Sequence, residues 1–248
     1  MTYELHCGDC LEYMATMPDN SVDAVICDPP YGTTACKWDA VIDFNAMWGA
    51  IKRVIKTNGA VVLFGSQPFT SALIMSNPKW FKYCWMWDKK GTANFALAKY
   101  QPLRASEDIA VFGDGRVAYY PQMRKGKMRG KGGGGKCEIN GISPTYTVND
   151  EYYPTNVIRI SNANFPERGL HPTQKPVDLM AYLVRTYTNP GETVLDFTMG
   201  SGTTGVACLQ ENRNFIGIEK EPKYFDIARQ RIEAVHAQPT LFEVEYSQ

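Results

Sequence analysis

The chain has no run approaching the roughly 18 apolar residues that a membrane span requires. Its first residues, MTYELHCGDC, carry neither the basic stretch nor the apolar stretch of a secretory leader. A soluble, cytoplasmic protein is the expectation. Cysteines are present without a framework: seven of them, an odd number at irregular spacing, fit reduced thiols better than disulfides. Cys7 and Cys10 make one C-x-x-C, but no second such pair and no nearby histidine pair completes a zinc site, so no metal is expected. Net charge is absent as well, with 26 Lys and Arg against 26 Asp and Glu. That balance argues against wholesale polyanion binding, although its distribution along the chain does not.

What is present is an α/β pattern. At 248 residues, 44% hydrophobic and 21% charged, the chain suits one large core with an insertion. Short apolar runs, YELHC, DAVICD, GAVVLFG, FKYCWMW and EDIAVFG, alternate with helical patterns, and TVLDF and NFIGIE follow late. These seven strand candidates, interleaved with helices, predict a mostly parallel sheet covered on both faces. Helices are expected over 44–56, stopped by Asn58-Gly59, and over 67–77, 176–188, 202–210 and 221–235. Periodicity fails from 113 to 170, where nine Lys and Arg face five acids. This segment is therefore +4 and the rest −4, the polarity expected if one part meets phosphates. The organisation reads as a core half over 1–112, an insertion over 113–170 and a second core half over 171–248. Within the insertion, RKGKMRGKGGGGK, 124–136, interleaves six basic residues with six glycines and reads as a mobile arm.

Two stretches carry chemistry. In VLDFTMGSGTTG a strand runs into a glycine turn and a helix; Gly200, Gly202 and Gly205 have G-x-G-x-x-G spacing, so on spacing alone a dinucleotide fold stays open. The loop lacks the Gly-Lys-Ser/Thr of a P-loop, which disfavours a triphosphate with magnesium. Seventeen residues after Gly202, Glu219 ends the next strand, where an acid can accept from both hydroxyls of a ribose. Loop and acid together imply an adenosine-containing cofactor. In AVICDPPYG, two prolines stop a buried strand because neither donates to a sheet ladder. The Asp28 carboxylate and Pro29 carbonyl are two acceptors suited to an amino group, and the Tyr31 ring suits a planar base. Acceptors on both hydrogens of an exocyclic amine favour a pyramidal nitrogen and stabilise the charge that develops as it attacks a methyl group.

These residues resemble those of the amino-methyltransferases acting on DNA, of the N6-adenine and N4-cytosine types. DPPY at 28–31, HPTQKP at 171–176, VLDFTMGSGTT at 194–204 and GIE at 217–219 stand in the order of the permuted, β-class branch. The resemblance covers nearly the whole chain. It implies a doubly wound, seven-stranded, mostly parallel sheet with one antiparallel strand, a circularly permuted Rossmann-like methyltransferase fold. It also implies S-adenosyl-L-methionine as cofactor, double-stranded DNA as partner, and it admits a homodimer. By position, Asp28, Pro29, Pro30 and Tyr31 would hold the target amine and base, with Asp28 also near the methionyl end of the cofactor. Gly200 and Gly202 would form the cofactor turn, with Cys10, Asp196, Ser201 and Thr203 beside it. Glu219 would take the ribose, and Asp9 the adenine amine. Asp9 also reads as a helix N-cap, three residues before Glu12. Thr173 and Lys175 would close over the cofactor's carboxylate, Lys175 reading equally as a cap for the helix that follows. The family's usual Asp-Pro-Phe is here Asp196, Phe197, Thr198, which leaves Phe197 a weak contact.

In that setting Arg124, Lys125, Lys127, Arg129, Lys131 and Lys136 would follow DNA phosphates. No recognition helix, finger or ribbon is identifiable. Lys89, Lys90, Lys99 and Arg104 would steady the backbone beside the pocket or simply be solvated. The leading reading is site-specific methylation of adenine N6 in duplex DNA, on a base extruded from the helix. Carbon-5 cytosine chemistry needs a thiolate, and no Pro-Cys motif supplies one. N4-cytosine methylation, methylation of a protein glutamine or an RNA base, and a non-catalytic DNA-binding module remain as alternatives.

Overall fold

The computed structural model describes residues 1–33, 39–131, 147–162 and 174–237, without the side chains of Arg129, Lys131 and Thr147. The chain divides into two units, Met1–Tyr120 with Asn156–Gln248, and Pro121–Thr155. In the larger unit all seven expected strands form: β1 (Tyr3–Cys7), β2 (Val22–Cys27), β3 (Ile55–Gly65), β4 (Phe81–Ala93), β5 (Arg104–Phe112), β9 (Thr193–Asp196) and β10 (Asn214–Glu219). An additional strand, β8 (Val157–Arg159), pairs parallel to β4. The sheet therefore has eight strands rather than seven, in the order β1-β10-β9-β2-β3-β5-β4-β8. At three residues, β8 is too short to show a period, which is why the segment reads as structureless. Every pairing is parallel except those of β5, which runs antiparallel to both β3 and β4.

Strand residues alternate between two cores. Ala24, Ile26, Val62 and Phe64 face the buried sides of α4 (Val177–Tyr187), α5 (Thr203–Gln210) and α6 (Pro222–His236). Val25, Cys27, Val61 and Leu63 face α1 (Cys10–Thr16), α2 (Phe44–Val54) and α3 (Phe69–Ser76). This is the doubly wound arrangement, with the sheet buried on both faces so that its strands read as continuous apolar runs. Helix α2 shows how one face is set: Asp43 caps it by accepting from the Ala46 N–H at 2.9 Å, and Met47, Trp48, Ile51 and Val54 are buried. It ends at Val54, not at Asn58-Gly59. There the chain passes straight into β3, and the Asn-Gly pair instead takes up a register shift against β2, with Asn58 left-handed at φ 65°.

The smaller unit corrects the reading of 124–131 as an arm, while 132–136 lie outside the described residues. Arg124–Lys131 form a strand, β6, paired antiparallel with β7 (Thr147–Tyr152). Tyr152 donates to the Lys127 carbonyl at 2.9 Å. A Cβ on Gly126 would meet the Tyr152 ring at 2.8 Å, so this glycine makes room for a packed ring. The unit spans 121–155, and 113–120 and 156–162 fall in the larger unit.

Candidate active site

Parallel pairing fixes where the site lies. Cys7 pairs with Glu219, Gly217 with Asp196, and Val25 with Leu195, so β1, β10, β9 and β2 all end on one edge. The carboxyl edge of an open α/β sheet is where ligands bind. A cavity of about 500 Å³ opens there, and Asp9, Cys10, Asp28, Pro29, Pro30, Tyr31, Lys175, Asp196, Phe197, Gly200, Ser201, Thr203 and Glu219 all line it. Gly202 does not. It is left-handed at φ 77°, and a Cβ there would stand 2.8 Å from that of Ala228 on α6, so it shapes the turn and the packing behind it. Thr173 and Lys136 lie outside the described residues, as do the side chains of Arg129 and Lys131.

One end of the cavity is acidic. Asp9 caps α1, accepting from the Leu11 N–H at 2.9 Å and the Glu12 N–H at 3.4 Å. Burial would raise its pKa, but those N–H groups and Lys220 outweigh it and hold the carboxyl below its ordinary range. Glu219 accepts from the Gly200 N–H at 2.9 Å and the Glu221 N–H at 2.8 Å, tying the end of β10 to the glycine turn. Its pKa is raised by burial, against the pull of those amides. Asp196 is 3% exposed and accepts from Thr204 Oγ1 at 2.6 Å and the Thr198 N–H at 3.2 Å. Burial pushes its pKa to about 7. The Cys10 thiol is pushed up to about 11 by burial and by Asp9 beside it, so it packs as an apolar group. Phe197 is 1% exposed, in the core with Leu195 and Ile218.

At the other end stands the strand-ending Asp-Pro-Pro-Tyr. The Tyr31 hydroxyl donates to Asp28 Oδ1 at 2.5 Å, and its ring stacks on Phe69 at 5.0 Å between centroids. Lys175 Nζ donates to Asp28 Oδ2 at 2.6 Å. The lysine is therefore not a helix cap: α4 is entered through Pro176, with no side-chain cap bond. Burial raises the Asp28 pKa, partly offset by Lys175. Burial would lower that of Lys175, but Asp28 and Glu107 outweigh it and hold the lysine protonated.

Three participants hold roles that the sequence does not indicate. Glu107 and Lys89 line the cavity and are ion-paired to each other, so Lys89 is not merely solvated. Thr198, where the family pattern leads one to look for an aromatic, donates to the Asp28 carbonyl at 3.1 Å and lies 2.9 Å from Cys27 Sγ. It binds the glycine loop to the end of β2. Its position between Asp196 and the glycines was the only available signal.

A parallel sheet whose edge gathers a glycine turn, a strand-end acid and an Asp-Pro-Pro-Tyr defines a Rossmann-like α/β enzyme with a nucleoside-type ligand cavity. Comparison with known proteins makes this specific. Residues 22–230 match the N6_N4_Mtase family, described as DNA methylase. The chain belongs to this family of N6-adenine and N4-cytosine DNA methyltransferases. It is 26% identical to the type II methyltransferase M.HinfI of Haemophilus influenzae over 96% of this chain and 70% of that protein. It is 23% identical to the type II methyltransferase M2.MboI of Moraxella bovis over 92% of this chain and 87% of that one. Among solved structures, the complex of M1.HpyAVI with SAM aligns with a TM-score of 0.66 at 25% identity, over 93% of this chain and 99% of that one. The cytosine-N4-specific PvuII DNA methyltransferase shares the fold, with a TM-score of 0.70 at 17% identity over 95% and 90% of the two chains.

Proposed function

We propose that this chain is a permuted, β-class DNA methyltransferase that transfers a methyl group from S-adenosyl-L-methionine to N6 of an adenine extruded from duplex DNA. The observation that carries this reading is that Asp28 and Tyr31 line the same cavity as the glycine turn and Glu219. The permuted assignment is supported by β2 preceding β9 in the chain while pairing beside it in the sheet. Seven carboxylates (Asp9, Asp28, Asp39, Glu107, Asp196, Glu219, Glu221) and three ammonium groups (Lys89, Lys175, Lys220) line the cavity. That acidic excess fits a cofactor bearing both sulfonium and ammonium charges.

Glu219 would take the ribose hydroxyls and Asp9 the adenine amine, with Gly200, Ser201 and Thr203 forming the turn around the cofactor. Bound there, the cofactor would supply an electrophilic methyl carbon to the target amine, its carbon–sulfur bonding pair leaving with sulfur. Asp28 and the Pro29 carbonyl accept the amine's two hydrogens, which favours the pyramidal nitrogen and stabilises its developing charge. Asp28, its pKa raised by burial, takes the proton that the amine sheds. Extruding a base costs a few kcal/mol, and Tyr31, braced on Phe69, offers it a stacking surface. Adenine is favoured over cytosine because Asp stands at position 28, where Ser is commoner in the cytosine type of this branch. The β6–β7 ribbon, with Arg124, Lys125 and Lys127 exposed, is of the kind that a major groove admits and is assigned to phosphate contact.

The test is nucleoside analysis of unmethylated genomic DNA after incubation with the protein and S-adenosyl-L-methionine. N6-methyladenine is expected. N4-methylcytosine alone would move the assignment to the cytosine type, and label appearing in protein or RNA but not DNA would sink it. An Asp28→Asn variant is expected to lose activity by on the order of 10² to 10³ while retaining cofactor binding.

A further inference from the structure

Methyl transfer as described uses only Asp28, one end of a row of four charged side chains along the cavity wall. Lys89 donates to Glu107 Oε1. Glu107 Oε2 stands 3.3 Å from Lys175 Nζ, and Lys175 Nζ stands 2.6 Å from Asp28 Oδ2. The side chains are 10%, 15%, 7% and 19% exposed in that order, so each charge depends on its neighbours for solvation. The four come from distant parts of the chain. Glu107 reaches this edge because β5 is antiparallel, with Trp87 paired to Glu107 and Gly65 to Asp108, and Lys89 lies toward the carboxyl end of β4, which runs the same way as β3. Lys175 immediately precedes Pro176, the N-cap of α4.

Two features make the row more than a support. Asp28 already holds a donor on each oxygen, Tyr31 on one and Lys175 on the other. An ammonium in that place opposes the task assigned to Asp28, because a positive charge grows on the target amine and like charges this close repel strongly in a desolvated site. Second, Glu107 Oε2 is buried without a hydrogen-bond partner among the described residues. Its contact with Lys175 is an ion pair at 3.3 Å, so the lysine already touches a second carboxylate, to which a short shift would bring it into full hydrogen bonding.

We propose that Lys175 moves from Asp28 to Glu107 when the target amine enters, with Glu107 the positioning residue that receives the ammonium and Lys89 the counter-ion that holds Glu107 in place. The inference rests on the reading of Asp28 as the amine's acceptor. In the resting site Lys175 neutralises a buried carboxylate; in the reacting site the amine replaces it. Glu107 is suited to this, since its burial is outweighed by Lys175 and Lys89, which keep it ionised.

The experiment is single-turnover methylation of unmethylated genomic DNA at saturating S-adenosyl-L-methionine, with cofactor binding measured alongside for each variant. Glu107→Gln is expected to slow the methyl-transfer step about 10- to 100-fold, with cofactor affinity changed little, because the lysine then stays on Asp28. Adding Lys175→Met in that background is expected to restore much of the lost rate, since the masking charge is gone. An unchanged rate in Glu107→Gln, or a double variant no faster than the single one, would overturn the proposal. If Glu107→Gln fails to fold, Glu107→Asp keeps the charge, shortens its reach, and is expected to give a smaller loss with the same rescue. Asp28→Asn, run in parallel, separates the two claims. If it retains full rate, the acceptor reading itself has failed; if it is inactive, the outcome at Glu107 bears on the lysine's movement alone.

Discussion

Asp196 offers a test of the site's electrostatics that needs neither DNA nor cofactor. Its carboxyl is 3% exposed, and burial raises its pKa from the ordinary 3.8 to about 7. The folded state therefore binds this proton more tightly than the unfolded chain does. A raised carboxyl pKa contributes stability that is fully present at pH values below the unfolded pKa and is lost as pH rises to the folded one. A separation of roughly three units corresponds to about 4 kcal/mol across the whole window, and about 3 kcal/mol of it falls between pH 5 and pH 8. Asp196→Asn removes the titration while keeping the geometry. The amide oxygen can still accept from the Thr198 N–H, and the amide nitrogen can donate to Thr204 Oγ1, whose hydroxyl rotates to suit. Urea unfolding of the ligand-free protein at pH 5 and pH 8 gives the comparison. The variant is expected to gain about 3 kcal/mol on the wild type over that interval, whatever its offset at either pH, because other titrations are common to both. Parallel pH dependences would show that Asp196 is ionised and adequately solvated throughout, and would refute the reasoning.

Tyr31→Phe keeps the ring on Phe69 and removes the hydroxyl that donates to Asp28. A hydrogen bond to a charged group contributes about 1.5–3 kcal/mol, so kcat is expected to fall by about 10- to 100-fold with little change in KM for DNA, and an unaltered kcat would remove the hydroxyl from the site's chemistry. Gly202→Ala forces a side chain into a left-handed position 2.8 Å from the Ala228 Cβ; a loss of about 1–3 kcal/mol is expected in thermal unfolding, and an unshifted midpoint would show that α6 yields. Replacing Lys125 and Lys127 with Gln is expected to lower the slope of log affinity for DNA against log salt by about 1 for each phosphate that the ribbon no longer neutralises, with cofactor affinity unmoved. An unchanged slope would take the ribbon out of the DNA interface.

The parts of the site that were legible in the sequence are those whose chemistry is local. Two prolines end β2 whatever surrounds it, which alone puts Asp28 and Tyr31 at a strand end. Glycines followed by a helix, and an acid at the end of an apolar strand, placed Gly200 and Glu219 in the same way. Glu107 was not legible, because it reaches the carboxyl edge only if β5 runs against its neighbours, and nothing within EDIAVFG states a direction. The β6–β7 ribbon was missed for a different reason. Its strand is rich in Gly and Lys, which read as a solvated arm, whereas at Gly126 the missing side chain is the space into which Tyr152 packs.

Chain order and sheet order diverge widely between Asp28 and the glycine turn, and there the structure adds what the motifs lacked. Val25 pairs with Leu195, so both strands end at the same height on the edge. Side by side, however, they need not present their loops in a fixed relation. Thr198 supplies it: its hydroxyl reaches the Asp28 carbonyl and Cys27 Sγ, while its own N–H is held by Asp196. A phenylalanine at position 198 has no hydroxyl to make these bonds. Here the ring stands one residue earlier, as Phe197 in the core, which leaves Thr198 bonded to β2, where it fastens the glycine turn to that strand's end.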